Sequence, residues 1–166
     1  MNGLHFIALG ANLTAPDGTP PLATCIWAAT QLMALEGVTS ACRSRWFSSA
    51  PVPASDQPRY INGIVRLSGK LDPASLLRAC QAIEAGAGRT RGAKDAARTL
   101  DVDIIDMDGL IRAAPDPILP HPRAHLRAFV LLPLRDVAPG WVHPVLGRDI
   151  GSLIAALAPQ DIQPAQ

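Results

Sequence analysis

The sequence predicts one globular domain in which short strands are interspersed with amphipathic helices. Residues 60–68 alternate between apolar and polar side chains, as is typical of a strand with two different faces. Asp72 followed by Pro73 is typical of a helix start, and Gly86 of a helix end. A chain of 166 residues that is 48% hydrophobic has enough apolar surface for a single buried core. We therefore expect one domain over residues 1–166.

The other elements are assigned from apolar periodicity and from the positions of Gly and Pro. In chain order they are a buried strand at 4–9, a helix from Pro20 to Gly37, a second strand at 38–47, a long ordered loop from Ser48 to Pro58, a strand at 101–105 and a last helix at 149–157. Thr19 is expected to cap the first helix. The apolar face of this helix is predicted to comprise Leu22, Ile26, Ala29 and Met33.

The net charge and the cysteines limit the kinds of partner and compartment. Fifteen basic and fourteen acidic residues give a net charge of +1, which provides no general attraction for nucleic acid or an anionic membrane. The three cysteines are widely spaced, as expected of free thiols in a reducing compartment. The sequence has neither an apolar run of membrane-spanning length nor a signal-peptide pattern. We expect a cytoplasmic monomer that binds neither nucleic acid nor membrane.

The most distinctive stretch runs from Arg98 to Ile105 and places two carboxylates on one strand. Residues two apart on a strand point to the same face, so the Cα atoms of Asp101 and Asp103 should lie roughly 6.6 Å apart. At ~5 Å and an effective dielectric constant of about 20, their charges repel by about 3 kcal/mol, so a cation between them is expected. Mg²⁺ typically binds one or two carboxylates together with substrate phosphates. The alternative is an edge strand whose spare charge is solvated.

A glycine- and alanine-rich segment after Gly86 carries several cations. Arg89, Arg91 and Lys94 lie in this segment, and Arg98 follows it. Spaced guanidinium groups opposite paired carboxylates suit a polyphosphate that is held through metal on one side and arginine on the other. A solvated basic loop is the alternative, and it would be preferred if the two aspartates were absent.

Two further polar pairs are candidates for ligand contacts. Tyr60 and Asn62 share one face of their strand, where they could stack on and hydrogen-bond a flat heterocycle, although such a pair is usually ordinary surface. Gln81 and Glu84 share one side of a helix near its C-terminus. Because the helix dipole opposes a carboxylate there, we expect Glu84 to have a functional use.

Several other motifs are excluded by their spacing. His121 and His125 are four residues apart, but the intervening proline and the lack of a third ligand argue against a zinc site. The run from Asp106 to Gly109 resembles a calcium loop only superficially, since the positions that must be acidic are Ile104 and Pro115. The sequence contains neither a Walker phosphate loop nor a dinucleotide-binding fingerprint.

Seven short motifs occur in one order along residues 4 to about 140. They are Gly10-Ala11-Asn12-Leu13, Asp56-Gln57-Pro58-x-Tyr60-x-Asn62, Gln81-x-Ile83-Glu84, Gly88-Arg89-x-Arg91, Arg98-Thr99-Leu100-Asp101-x-Asp103-Ile104, Pro120-His121-Pro122 and Arg127-x-Phe129. In this order they resemble the 6-hydroxymethyl-7,8-dihydropterin pyrophosphokinase family. The resemblance implies a ferredoxin-like α+β sandwich, in which helices cover an antiparallel sheet. It also implies the transfer of pyrophosphate from ATP to the hydroxymethyl group of a reduced pterin, with release of AMP, in folate synthesis.

The resemblance implies roles for individual residues, with ATP as co-substrate. Asp101 and Asp103 would hold two Mg²⁺ ions, and Arg89 and Arg98 would act beside them in catalysis. The ATP-binding residues would be Gln81, Glu84, Arg91, Ile104, His121 and Arg127. The pterin-binding residues would be Gly10, Asn12, Ser49, Val52, Tyr60, Asn62 and Phe129.

Two classes of alternative remain open at this point. The first is a ferredoxin-like module that binds a small ligand for regulation, or a family member that has lost its activity. Retention of Asp101, Asp103 and Glu84 argues against it, because a binding module has no need to tolerate their repulsion. The second is metal-dependent nucleotidyl transfer, which could use the same carboxylate pair and would release pyrophosphate instead of AMP.

Overall fold

A six-stranded antiparallel sheet lies between two layers of helices in the computed structural model, which describes residues 3–88 and 99–165. The strands are β1 (Gly3–Ala11), β2 (Val38–Arg43), β3 (Phe47–Ser49), β4 (Tyr60–Gly69), β5 (Asp101–Met107) and β6 (Ile162–Pro164). The helices are α1 (Pro21–Met33), α2 (Pro73–Gly86), α3 (Ala128–Val137) and α4 (Ile150–Ala155), and a 3₁₀ turn (Ala124–Leu126) precedes α3.

The order of the strands is that of a ferredoxin-like sandwich. From one edge to the other the order is β5, β1, β4, β3 and β6, and β2 also pairs with β4. The units β1-α1-β2 and β4-α2-β5 therefore interleave, with β1 and β4 in the middle of the sheet. This arrangement confirms the predicted α+β fold with an antiparallel sheet covered by helices.

The two faces of the sheet carry two separate cores. Helices α1 and α2 pack on the face that includes Ile7 and Leu9 of β1, whereas α3 and α4 pack on the face that includes Phe6. In β5, Ile104 belongs to the first core and Ile105 to the second. The predicted alternation of β4 is confirmed, because Val65, Leu67 and Ile61 lie with α1 and α2 while Ile64 lies with α3.

Helix α1 differs from the prediction in its cap and in its buried face. It begins at Pro21 with Pro20 in the cap position, and the hydroxyl of Thr19 donates instead to Asp17 at 2.6 Å. Ile26 is 45% exposed. The buried residues are Thr24, Cys25, Ala28, Ala29 and Leu32. The predicted face was therefore right for Ala29, which is buried, and for Met33, which packs against the core, and wrong for Ile26.

The predicted strand at 38–47 is two strands separated by a break at Ser44. The Ser44 hydroxyl accepts a 2.9 Å hydrogen bond from the backbone N–H of Ile64, so a side chain replaces the usual backbone acceptor. Trp46 then lies against Gly63, where a Cβ atom would meet the indole ring at 2.5 Å. The chain therefore leaves β4 after β2 and returns to it as β3.

The start of α2 agrees with the prediction, whereas two C-terminal elements were missed. The Asp72 carboxylate accepts from the backbone N–H of Ser75 at 3.0 Å and caps α2. The apolar run around Pro133 forms helix α3, and residues 162–164 add a short strand beside β3. Over residues 3–88 and 99–165, no helix is both long and apolar enough to cross a membrane.

Candidate active site

A cleft opens on the α3 face of the sheet, where the first residues of β4 and β5 meet the last residues of β1. Its volume of about 150 Å³ compares with ~30 Å³ for a water molecule in the liquid, so it has room for a ring system. The lining residues are Ala8, Leu9, Gly10, Ser49, Ala50, Val52, Tyr60, Asn62, Asp101, Asp103, Ile105, His121, Arg127, Phe129 and Val130. Ten of the residues predicted for the site are therefore found in one place.

Gly10 lies between the two kinds of predicted binding residue in the sheet. It pairs with Asp101 of β5 on one side and with Asn62 of β4 on the other. Because neighbouring strands are about 4.8 Å apart, the Cα atoms of Asp101 and Asn62 are separated by about 10 Å across the glycine. Because Gly10 has no side chain, the floor of the cleft is open at the midpoint between the carboxylates and the amide.

Asn62 is buried and has a fixed amide. The Ser49 hydroxyl donates a 2.6 Å hydrogen bond to Asn62 Oδ1, which leaves the amide NH₂ group as the donor for a ligand. Gly10 lies so close that a Cβ atom there would be 3.3 Å from Asn62 Nδ2. A larger residue at position 10 would therefore crowd the amide, which Ser49 orients.

Arg127 and Phe129 form the opposite wall at the start of α3. The guanidinium carbon of Arg127 lies 5.3 Å from the centre of the Phe129 ring, within the range of a cation–π contact. Burial lowers the pKa of Arg127, and the negative charge of Asp103 opposes this shift. The side chain remains cationic, because the pKa of arginine starts far above neutrality. This wall combines an aromatic face with a positive charge.

His121 is held beside β5 by its backbone and lines the cleft together with the two carboxylates. Its N–H donates to the carbonyl of Ile105 at 2.9 Å, and its Nδ1 accepts from the N–H of Arg123 at 3.1 Å. Burial lowers the pKa of His121, while the charge of Asp103 raises it and Arg127 and Arg123 lower it. A neutral ring with Nδ1 as acceptor carries its proton on Nε2, where it is a hydrogen-bond donor.

The chemistry of the carboxylate pair fits divalent metal ions. Asp101 and Asp103 both line the cleft, since they lie on the same face of β5. Mg²⁺ in nucleotide enzymes typically takes one or two carboxylates and completes its shell with phosphate oxygens and water. Among residues 3–88 and 99–165, no group of three or more His, Cys, Asp or Glu side chains is arranged to hold a metal ion.

Some predicted site residues lie outside this cleft. The Asn12 amide donates to Gln57 Oε1 at 3.0 Å and to the carbonyl of Pro58 at 3.1 Å, so it braces the loop after β3. Ile104 lies in the core on the opposite face of the sheet. On α2, Gln81 is exposed and Glu84 is buried. The roles of these residues in ligand binding stay predictions.

The basic segment lies outside the part of the chain that the structure describes. This concerns Arg89, Arg91 and Arg98, together with Lys94. Their predicted contacts with phosphate groups stay predictions.

Sequence reasoning considered Asp106 only as part of a rejected calcium loop and missed that it is a third aspartate on β5. Asp106 is buried, and its Oδ2 accepts a 2.8 Å hydrogen bond from Trp141 Nε1 while Oδ1 accepts from the N–H of Gly109 at 3.0 Å. The signal in the sequence was that Asp106 lies between the apolar residues Ile105 and Met107. A charged side chain that is buried requires a polar partner. Asp106 therefore ties the strand of the carboxylate pair to the segment after α3.

The fold and the cleft together define an α+β sandwich with a carboxylate pair on one strand, a buried amide two strands away and a wall that is both aromatic and cationic. The family model of 7,8-dihydro-6-hydroxymethylpterin-pyrophosphokinase matches residues 6–139. This match extends over most of the chain. The chain belongs to the 7,8-dihydro-6-hydroxymethylpterin-pyrophosphokinase family.

Individual relatives agree with the family match. A 2-amino-4-hydroxy-6-hydroxymethyldihydropteridine pyrophosphokinase of Pseudomonas aeruginosa is 37% identical over 151 residues, which is 91% of this chain and 90% of the relative. The protein of the same name from Synechocystis is 36% identical over 89% of this chain and 73% of its own length. A folic acid synthesis protein of Pneumocystis carinii is 33% identical over 98% of this chain. The chain spans only 21% of the length of that larger protein.

A solved structure supports the fold. The HPPK-DHPS protein of Plasmodium falciparum superimposes with a TM-score of 0.69 at 13% sequence identity. The match covers 93% of this chain and 43% of the Plasmodium chain. At this level of identity the likeness concerns the sandwich itself.

Proposed function

We propose that this chain, as a single domain over residues 1–166, transfers pyrophosphate from ATP to the hydroxymethyl group of 6-hydroxymethyl-7,8-dihydropterin and releases AMP. Family membership and the names of the relatives support this activity, which is a step of folate synthesis. The observation that carries the proposal is the row Asp101, Gly10 and Asn62 across the sheet. In this proposal Asp101 would belong to a phosphate-binding half and Asn62 to a heterocycle-binding half, with their Cα atoms about 10 Å apart on either side of the glycine.

The amide and the aromatic side chains would bind the pterin. Asn62, fixed by Ser49, would donate to an acceptor on the edge of the ring, and its burial makes that bond selective, because an unpaired amide in the site is costly. Tyr60 and Phe129 line the same cleft and would stack on the faces of the ring. A flat, polar heterocycle matches this combination of one fixed edge and two aromatic surfaces.

The carboxylate pair would hold the phosphates through metal. Asp101 and Asp103 would bind two Mg²⁺ ions, which when bound neutralise phosphate charge and favour ionisation of the attacking hydroxyl group. His121 and Arg127 lie beside the pair and would contact the phosphate groups of ATP with an N–H donor and a positive charge. Gln81, Glu84, Arg91 and Ile104 would complete the ATP site, and Arg89 and Arg98 would bind the transferred group.

In the reaction, the hydroxyl oxygen of the pterin would attack the β-phosphorus of ATP, and the bond from that phosphorus to the bridging oxygen of AMP would break. The protein's main contribution would be alignment and neutralisation of charge, which are the principal requirements of phosphoryl transfer. The cleft brings a candidate pterin site and a candidate phosphate site onto one sheet face. We also propose that the protein acts as a cytoplasmic monomer.

The test is incubation with Mg-ATP and the reduced pterin, followed by analysis of the nucleotide product. AMP together with a pyrophosphorylated pterin is expected. Release of pyrophosphate would instead indicate nucleotidyl transfer, and the absence of turnover with retained pterin binding would indicate a ligand-binding module. Asp101→Asn and Asp103→Asn should each lower turnover by orders of magnitude, whereas Asp116→Asn, at an exposed position outside the cleft, should not.

A further inference from the structure

We infer that the C-terminal tail, residues 159–165, is a positioning element that ties together the two walls of the pterin cleft, with Gln160 as its main contact. The tail lies beyond residues 6–139, which match the family model, and it lines a second hollow directly behind Phe129 and Ser49. The inference rests on the proposed function, because it assigns a role in binding the pterin.

Gln160 fixes the start of α3. Its Oε1 accepts from the backbone N–H of Ala128 at 2.9 Å, and its Nε2 donates to the carbonyl of Leu126 at 3.1 Å. The first N–H groups of a helix lack partners within the helix and need an acceptor from elsewhere. Arg127 occupies the N-cap position of α3, but its side chain makes no capping hydrogen bond. One amide side chain therefore holds both peptide groups that flank Arg127 and orients the turn that carries Phe129.

The next residue of the tail is attached to the opposite wall. The Asp161 carbonyl accepts from the N–H of Ala50 at 3.0 Å, and its carboxylate accepts from Arg59 Nη1 at 2.9 Å. The Asp161 side chain is 66% exposed, so this ion pair contributes little to stability. The attachment of the tail to this wall therefore depends mainly on the backbone hydrogen bond to Ala50. Residues 162–164 then pair with β3, and Ile162 lies opposite Ser49, the residue that orients Asn62.

Two consecutive residues thus contact the two walls of the cleft. The Cα atoms of Gln160 and Asp161 are separated by only about 3.8 Å, as in any trans peptide, so the connection between the two walls is short. One end holds the turn of Arg127 and Phe129, and the other holds the end of β3. Loss of the Gln160 contacts should let the aromatic wall move relative to Asn62 while the sheet and both cores stay intact.

The test compares Gln160→Ala with the matched control Gln163→Ala, a glutamine that is exposed on the same tail. Pterin affinity is measured by calorimetry in the wild-type and Phe129→Ala backgrounds. In the wild-type background, Gln160→Ala should weaken pterin binding roughly three- to tenfold, as expected for the loss of one or two hydrogen bonds, and Gln163→Ala should have no effect. With Phe129→Ala already present, Gln160→Ala should add little, because the positioned ring is gone.

A purely structural role would give a different result. It would weaken pterin binding by the same factor in both backgrounds, and this outcome would overturn the inference. Gln160→Glu keeps an acceptor for Ala128 but places an oxygen opposite the Leu126 carbonyl, so an intermediate loss is expected. Full affinity in Gln160→Ala would also overturn the inference while leaving the proposed function intact. A wild-type protein that binds no pterin would overturn both.

Discussion

Trp141 Nε1 donates a 2.8 Å hydrogen bond to Asp106 Oδ2, and this buried contact joins the strand of the carboxylate pair to the segment that follows α3. The second oxygen of Asp106 is occupied by the N–H of Gly109. Both oxygens of a buried carboxylate thus have donors, which is the condition under which such a group is tolerated in a core. The strand that presents Asp101 and Asp103 is therefore anchored at its far end.

Replacement of Trp141 by Phe should measure this anchor. The variant leaves Asp106 Oδ2 without its indole donor, so the free energy of unfolding should fall by about 1–3 kcal/mol more than the change in ring size alone explains. Trp46→Phe is the matched control, because Trp46 Nε1 is buried with no hydrogen-bond partner among the described residues. Thermal unfolding should show Trp141→Phe melting roughly 2–10 °C below Trp46→Phe. Equal melting temperatures would mean that the Asp106 contact contributes nothing to stability.

The stability of the protein should fall between pH 7.5 and 5.5 because of buried histidines. Burial lowers the pKa of His143, as does the nearby His125, while Asp106 raises it. Its Nδ1 accepts from the N–H groups of Val145 and Leu146, so the neutral ring is the bound form. The unfolded chain, with an ordinary histidine pKa of about 6.5, binds more protons below that pH and is favoured by acid.

Replacement of His143 separates its contribution to this loss of stability from that of other titrating groups. His143→Asn keeps an acceptor in place of Nδ1 but does not titrate. The variant should be less stable than the wild type at pH 7.5, because it loses the ring contacts of His143 with Trp141 and His125. Chemical denaturation should then show a smaller loss of stability in the variant at pH 5.5. A residual loss is expected, because the pKa of His121 is also lowered by burial. An unchanged loss in the variant would show that His143 is not responsible.

Asp103 should control the titration of His121. Its negative charge raises the pKa of His121 against the effects of burial and of Arg127, so Asp103→Asn should lower that pKa further. Asp101→Asn is the control, since Asp103 is the carboxylate whose charge acts on the ring. The pKa can be followed by the NMR shift of the imidazole Cε1–H group across pH. If both variants moved the His121 pKa equally, or neither did, Asp103 would not be the carboxylate that controls this pKa.

The closeness of Gly10 to Asn62 gives a prediction for pterin affinity. A methyl group at position 10 would lie 3.3 Å from Asn62 Nδ2, so the amide should shift by a few tenths of an ångström and its hydrogen bond with Ser49 should weaken. We expect Gly10→Ala to weaken pterin binding by about 1 kcal/mol, and Asn62→Ala by roughly 1–3 kcal/mol.

Calorimetric titration with the pterin measures both losses. In the control Gly140→Ala, a Cβ atom meets nothing within 4 Å, so its affinity should equal that of the wild type. Full affinity in Gly10→Ala would show that the amide has room to move. Nucleotide affinity should change little in each variant, since we propose that Asn62 binds the pterin and Gly10 affects binding through Asn62.

The sequence was sufficient for features that depend on neighbouring residues. The alternation of β4 placed Tyr60 with Asn62, and two-residue spacing placed Asp101 with Asp103, as the structure finds. The cap of α2 at Asp72 was equally local. Each of these features follows from strand or helix geometry within a few residues, so no knowledge of distant contacts was needed.

Features that depend on distant contacts were missed. The buried face of α1 includes Cys25 and two alanines while Ile26 is exposed, so a search for large apolar side chains identifies this face only in part. Strand β6 is three residues long and exists through its pairing with β3, more than a hundred residues earlier. Gln160 bonds to backbone groups over thirty residues away, and its local sequence gives no indication of them.

Gly10 pairs with both Asp101 and Asn62, so the backbone hydrogen bonds of the sheet fix the distance between the two halves of the cleft. A change of side chain alters what each half binds but leaves their spacing as it is. A single-residue insertion or deletion in β1 ahead of Gly10 would move Leu9 or Ala11 to the midpoint and turn the wrong face toward the ligand. This site should therefore tolerate variation in sequence far better than variation in length.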